Sequence, residues 1–405
     1  MPNTRHLPDW INGFMDFTEE SEPPRLFRLW TAISVVAAAL QRKCCLRWGT
    51  LDFYPNLYIV LVAPSGKARK GTAMIPGLKL LKRVGIKLAA NATTRESLIR
   101  ELKMSGSSEV DPEVGSVDMH ASLTVFSKEL TVFLGYQNRE LMANLTDWYD
   151  CDDTWIYRTK TQGIDDIRGV WLNLIGATTP DLIQTSMPRD AIGGGLTSRM
   201  IFIYEREEAK MVIMPPYGEK EKAIEEKLQY DLDKIHMLKG DFKITKEFLE
   251  LYTDWRVEQK AHPPFDDPRL AGYVERRPAH VLKTCMSMSA SRNSKMVITK
   301  EDLQRTIEVL NATERKMPLA FSGVGKSPVA DTISSIMAVV ANRGTVTLSE
   351  LMNMYYYDVD RWMMDKIVNT LHTMDFVSMS HKGDETVLTY KREKGGENGN
   401  SKGDG

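Results

Sequence analysis

Hydrophobic and polar positions change their rhythm repeatedly along this chain, and each change marks an element. Residues 57–62 form an unbroken apolar run, LYIVLV, which predicts a short strand buried on both faces. Ala63, Pro64, Ser65 and Gly66 stop it. Three cations follow within four residues (Lys67, Arg69, Lys70), and Gly71-Thr72 opens a helix. Further buried strands are predicted over 121–126, 170–175 and 200–204, with a shorter one over 86–89. Ahead of them, Trp10, Ile11, Phe14 and Phe17 recur at helical spacing, and a second helix over 26–40 follows the Pro23-Pro24 break. Thr93 with Glu96 three residues on predicts a capped helix over 97–103, whereas 104–118 is polar and glycine-rich and reads as a flexible loop. From 154 to 171, Trp155, Tyr157 and Thr159 alternate with Ile156, Arg158 and Lys160 up to a Gln162-Gly163 turn, the pattern of a hairpin.

Beyond Pro215 the rhythm turns helical. Residues 219–317 predict helices broken at His262-Pro263-Pro264, Pro278 and Asn293, and 322–325 reads as a linker. The last unit starts with a helix over 329–342, turns at Arg343-Gly344, and continues with a short helix from Ser349 and a third over 359–374. Two strands, 376–380 and 386–390, then flank His381-Lys382-Gly383-Asp384, which is the order of a winged helix. Residues 393–405 have the composition of a disordered tail. The expected plan is an N-terminal helical segment (1–50), an α/β core with a parallel sheet (51–215), a helical lid (216–321), a winged helix (326–392) and the tail. A chain of 405 residues is long enough for such a set of domains.

Charge and cysteine content narrow the picture. The 53 basic and 54 acidic residues nearly cancel, so no global attraction to nucleic acid or membrane is implied. Cys44, Cys45, Cys151 and Cys285 lack zinc spacing and read as reduced thiols of a cytosolic protein. The opening residues lack a signal-peptide pattern, and the apolar helix around 29–40 is too short to span a bilayer. A soluble protein of the cytoplasm, without a membrane partner, is expected.

The candidate chemistry clusters at strand ends. Strand, glycine-bearing turn, lysine, hydroxyl and helix form the layout of a phosphate-cradling P-loop, in which backbone N–H groups and the helix N-terminus face phosphates. Pro64 and Arg69 stand where the G-x-x-x-x-G-K-[ST] pattern has glycines, and Gly71 displaces the hydroxyl to Thr72. The other reading of this stretch is a basic turn ahead of a helix. Glu129, after the 121–126 strand, is a candidate general base for the attacking water, or else a helix-start glutamate favoured by the dipole. Thr178 and Thr179, after the 170–175 strand, are placed to sense a γ-phosphate. Arg199, before the 200–204 strand, can reach a neighbouring subunit's nucleotide, worth up to ~10³–10⁵ in rate, or serve as an ion-pair partner. Arg158 and Lys160 on the hairpin can grip DNA phosphates or guard a solvated edge. Residues 326–392 carry seven Lys/Arg against eight Asp/Glu, with Arg361 and Lys366 among Asp358, Asp360 and Asp365. A protein-contacting wing is therefore as fitting as a DNA reader.

Taken in order, these parts resemble an AAA+ ATPase, with the core, lid and winged helix of the Holliday-junction branch-migration motor and the replication-initiator ATPases. YPNLYIVLVAPSG, RKGTAM, IGATTPDL and GGGLTSRMIF are more closely similar to a P-loop ATPase family of bacteriophages and integrated elements, the helicase-like part of replication primase-helicases. The likeness covers about residues 8–290 and implies an AAA+/RecA-like P-loop NTPase core. It further implies ATP on Pro64, Ser65, Gly66, Lys67, Ala68, Arg69, Lys70, Gly71 and Thr72, with Lys70 on the β- and γ-phosphates. Mg²⁺ would lie near Thr72 and Glu129. Glu129 would activate water, Thr178 or Thr179 would act as first sensor, Arg199 as a finger in trans, and Arg276 or Arg277 as the lid's sensor. The hairpin falls where such motors contact DNA. Lys128 departs from the family by standing where a magnesium-associated aspartate is usual. The implied function is an ATP-driven DNA helicase or translocase, as a hexameric ring, in phage or mobile-element replication within a bacterial host. The alternative is an ATP-switched loader or initiator that binds DNA or other replication proteins and unwinds nothing.

Overall fold

The central strand, Tyr58–Val62, is buried at every residue and hydrogen-bonds in parallel to a strand on each side. In the computed structural model the sheet runs, in spatial order, Gly106–Val110, Val117–Ser127, Val170–Thr178, Tyr58–Val62 and Met200–Tyr204. The last four are parallel, so their C-terminal ends share one edge; only Gly106–Val110 runs against its neighbour. Parallel strands need covered faces, and the runs YIVLV and VWLNLIGAT meet that need with no exposed residue. The structure describes residues 5–110, 117–159, 163–187, 191–322, 330–357, 359–382 and 385–391.

Helix Arg25–Leu40 is the main cover. Fourteen of its sixteen residues are buried, and Ser34 accepts hydrogen bonds from Asn173 Nδ2 of the central sheet at 3.3 Å (backbone O) and 3.1 Å (Oγ). The N-terminal helix Trp10–Phe17 is tied to later elements through Trp10 Nε1 on the Leu228 carbonyl (2.8 Å) and Ile11 N on Ser291 Oγ (2.9 Å). Trp30 Nε1 reaches Thr313 Oγ1 at 2.7 Å. The expected boundaries near 50 and 215 therefore fall inside one compact unit, Met1–Val324, because helices from both ends of it share one core.

Two expectations are corrected at the sheet edge. The strand expected at 86–89 is a single parallel bridge, Leu88 to Thr124, held by Ala89 N on Thr124 O and Thr124 N on Lys87 O. The loop expected over 104–118 instead contains Gly106–Val110, which pairs with the start of a strand extending back to Val117. A polar, serine-rich edge strand has no period-2 apolar signal, and pairing supplies what propensity does not. Residues 111–116 lie outside the described residues.

The second unit, Gly325–Gly405, is described by itself. Helices Ala330–Arg343, Leu348–Tyr355 and Arg361–Thr373 accompany a three-stranded antiparallel sheet ordered Thr345–Thr347, Glu385–Tyr390, Val377–Lys382. Ile336, Leu351, Ile367, Leu371, Val377 and Leu388 are among the residues of its own core. The expected tail, 393–405, and most of the expected linker lie outside the described residues.

Helix Lys70–Val84 crosses Arg25–Leu40 at Gly77, where an added Cβ would lie 2.7 Å from Val35 Cγ2 and 2.9 Å from Thr31 Cγ2. Both neighbours are β-branched and stiff. Gly77→Ala is therefore expected to destabilise the fold by about 1–3 kcal/mol through overpacking, against the ~0.5–1 kcal/mol a helical Gly→Ala change ordinarily gains. Urea unfolding decides the sign; a more stable variant would refute the close crossing.

Candidate functional site

The loop between the central strand and helix Lys70–Val84 is shaped by backbone geometry. Ala63 N extends the ladder to Thr178 O (3.3 Å), and Lys67 N closes a turn on Pro64 O (3.2 Å). Gly66, Ala68 and Arg69 then adopt φ of +70°, +56° and +49°. Left-handed conformations at two consecutive non-glycine residues are strained, and such strain concentrates at functional segments. Helix Lys70–Val84 begins directly afterwards with no side-chain cap and no acidic residue in its first turn. Its leading N–H groups and positive dipole end thus lack an intrahelical acceptor, the arrangement that receives anions.

The neighbouring strand ends supply side chains. Lys70 Nζ donates to the carbonyls of Ala63 (2.9 Å) and Pro64 (3.0 Å). Burial pulls its pKa below the ordinary lysine value, and the Glu129 carboxylate opposes that shift, which puts the two residues in electrostatic reach. Glu129 follows strand Val117–Ser127, is exposed, and makes no capping hydrogen bond to helix Leu130–Leu134. The Lys128 stem lies along the helix start, its Cδ 3.8 Å from where a Gly71 Cβ would be. The two threonines separate in role. Thr179 Oγ1 caps helix Pro180–Ser186 through Leu182 N (3.3 Å), while Thr178 Oγ1, buried next to the loop, has no hydrogen-bond partner. A buried hydroxyl without a partner is costly, so an arriving ligand atom would be stabilised there.

Thr72 also lines a cavity of about 350 Å³ shared with Phe17, Ile75, Pro76, Pro216 and Tyr217. This volume and mixed lining fall in the range of small-molecule sites. Arg69 Nε pairs with Glu22 at 2.8 Å, and Ser65, Gly66 and Lys67 are exposed around the turn.

The structure gathers the expected arginines elsewhere. Arg199 precedes strand Met200–Tyr204, whose register (Met200 with Tyr58, Tyr204 with Val62) puts it at the opposite sheet edge, about 15 Å from the loop along the strands. It is buried, with Nη2 on Asp150 Oδ2 (2.5 Å) and Nη1 on the Gly195 carbonyl (2.9 Å). Arg276 joins the same carboxylate at 3.3 Å, and Arg277 is enclosed by Glu314 (2.7 Å) and Asn311 (2.7 Å). Neither Arg276 nor Arg277 is brought to the loop, because the helix Ala271–Arg292 that carries them lies over the strand starts, where Lys283 Nζ reaches Asn56 Oδ1. Asp150, which collects both arginines, follows a helix end and carried no signal in its spacing.

The hairpin forms as expected, Thr154–Thr159 against Gly163–Arg168. Trp155 packs on Trp148, and Tyr157 receives Arg95 both on its ring and on its hydroxyl. Arg158 is on the exposed face with Ile156 and Ile164; Lys160 lies outside the described residues.

At the arginine edge, His280 is enclosed between Tyr149 OH (3.0 Å on Nδ1) and the Ser198 carbonyl (3.1 Å on Nε2). Burial drives its pKa from 6.5 to about 3; the Ser198 hydrogen bond resists, while Lys283, Arg276 and Arg199 push the same way as burial. The folded state thus refuses a proton that the unfolded chain accepts below pH 6.5. Stability should fall as pH drops from about 6.5 toward 3, this residue adding a slope approaching ~1.4 kcal/mol per pH unit. Urea midpoints at pH 7, 6 and 5 test this: His280→Gln should be less stable at pH 7 yet flatter with pH, and an equal slope would refute it.

No protein-family model matches the chain, and no curated protein matches it.

Proposed function

We propose that the chain is an ATPase whose triphosphate sits in the loop 63–72, and that it works as a ring on DNA during replication of a phage or mobile element. One observation carries this reading. A fully buried central strand ends in a left-handed turn and an uncapped helix start, with Lys70, Thr178 and Glu129 supplied from three parallel strand ends at the same edge. In such sheets ligands bind beyond the carboxyl ends of the strands.

In this reading the N–H groups of 66–72 and the Lys70 ammonium hold the phosphates. Thr178 Oγ1 gains the partner it lacks, and Glu129 takes the proton of the attacking water. The nucleoside extends into the cavity by Phe17, Pro76 and Tyr217. Thr72 and Glu129 offer the hard oxygen donors that Mg²⁺ accepts, and no group of three metal-binding side chains is found among the described residues. A metal carried in on the phosphates would supply neutralising charge when bound.

Arg199 lies too far from its own loop to serve it, so a catalytic role for it requires a neighbouring subunit and release from Asp150. Arg276 and Arg277, on the same edge, are not proposed as sensors for their own chain's nucleotide. The second unit, with its three helices and antiparallel sheet, is read as a winged helix, and exposed Arg158 as a contact to DNA phosphates. A second reading, an ATP-switched loader without unwinding, is favoured by Lys128 lying against the helix start, where it can substitute for metal charge.

Steady-state ATP turnover with single-stranded DNA tests the proposal. Lys70→Ala should lose ~10²-fold or more with its unfolding transition retained, and unchanged turnover would refute the site. Light scattering with a non-hydrolysable ATP analogue should show assembly beyond the monomer; a lone subunit under all conditions would remove the role given to Arg199.

A further inference from the structure

A second cavity, of about 430 Å³, lies at the arginine edge and shares no lining residue with the one beside Thr72. Strand Leu51–Phe53 supplies one side of it. Helix Ala271–Arg292 supplies another with Arg276, Ala279 and Lys283, which fall on one helix face at i, i+3 and i+7. Tyr149 and Asp150, at the end of helix Arg139–Tyr149, join the lining with Arg256.

Charge around Tyr149 does not balance. Arg199 and Arg276 share a single carboxylate, Asp150, at 2.5 and 3.3 Å. Lys283 is 4 % exposed, with Nζ 4.2 Å from the Tyr149 ring centroid and no carboxylate partner among the described residues. That Nζ donates to Asn56 Oδ1 and to the Tyr149 carbonyl (3.2 Å), and Asn56 Nδ2 holds the same carbonyl at 2.9 Å. An ammonium has three donors, so one is left for a ligand. Arg276 spends one of its five donors, on Asp150. The two other acids of the lining do not supply the missing charge: Asp52 pairs with Arg47 (3.5 Å), and Glu275 is exposed and forms no ion pair with these cations. His280 and Cys151 stay neutral, since burial takes the imidazole down to about 3 and the thiol up to about 11. Three cations therefore face one carboxylate. A buried charge without a counter-ion is costly, and burial accordingly draws Lys283 from 10.5 to about 8.

We propose that this cavity binds a small organic acid, its carboxylate or phosphate head on Lys283 and Arg276 and its apolar body against Leu51, Phe53 and Pro278. The head group supplies the counter-ion that Lys283 lacks, and the guanidinium fork of Arg276 suits either oxyanion. The volume falls in the range of small-molecule sites, so a body beyond the head has room. The site stands apart from the nucleotide reading and does not depend on it.

Calorimetric titration of the full chain with benzoate, phenyl phosphate and the neutral benzamide tests this. At least one of the two acids should bind, the tighter of them naming the head group, and benzamide should not. Arg276→Gln and Lys283→Met should each weaken binding about tenfold or more, as expected for one hydrogen bond to a charged group. Arg276 is partly exposed, so its variant reports even where loss of Lys283 impairs folding. Lys222→Met, on helix Glu219–His236, removes an exposed lysine elsewhere and should leave binding unchanged. Failure of both acids to bind at millimolar concentration, equal binding by wild type and the Arg276 and Lys283 variants, or equal binding of benzamide would overturn the site.

Discussion

Everything at the candidate site depends on the parallel pairing of Tyr58–Val62 with a strand on each side. A strand buried on both faces and paired on both edges can change direction only where the ladder ends. Because Val117–Ser127, Val170–Thr178 and Met200–Tyr204 run the same way, their ends converge at one edge. Lys70, Glu129, Thr178 and Glu205 are neighbours for that reason, although nearly 140 residues separate the first from the last. The starts of the same strands gather the opposite group: Asn56, Asp150 and Arg199. One constraint therefore sorts the charged residues into an edge holding Lys70 and Glu129 and an arginine edge.

Much of this was legible in the residues themselves. The apolar runs at 57–62, 121–126, 170–175 and 200–204 became strands because buried parallel strands need continuous apolar sequence, which is a strong signal. The turn after Val62 was legible from Pro64 and Gly66, and the hairpin from the alternation around Tyr157. The left-handed backbone at Ala68 and Arg69 was not, since neither residue type announces it. Edge strand Gly106–Val110 stayed hidden because its serines and glutamate resemble a loop until a partner is present. The merging of 1–50 and 216–321 into one core was also hidden. Contacts such as Trp10 with Leu228 span more than two hundred residues, and periodicity reports only which face is apolar, not what covers it.

The site residues divide along the same line. That Lys70, Glu129 and Thr178 share one sheet edge was legible because motif spacing reports local strand-to-helix geometry. Arg276 and Arg277 were misplaced, since a position on a helix start says nothing about which sheet edge that helix covers. Asp150 and Glu22 carried no signal; each pairs with an arginine far away in sequence, and a lone carboxylate has no pattern. The loop's apparent departures, Arg69 for glycine and Lys128 for aspartate, gain a physical context here. Arg69 is balanced by Glu22, and Lys128 places a fixed cation where the helix begins.

The central claim is that phosphates dock on the N–H groups between Gly66 and Thr72. Amide hydrogen exchange read by mass spectrometry, with and without MgATP, addresses it without relying on turnover. The account predicts that nucleotide slows exchange in peptides covering 63–74 and in those lining the adjoining cavity around 16–21, while the second unit is unchanged. Nucleotide that binds yet leaves 63–74 exchanging at its original rate would contradict it.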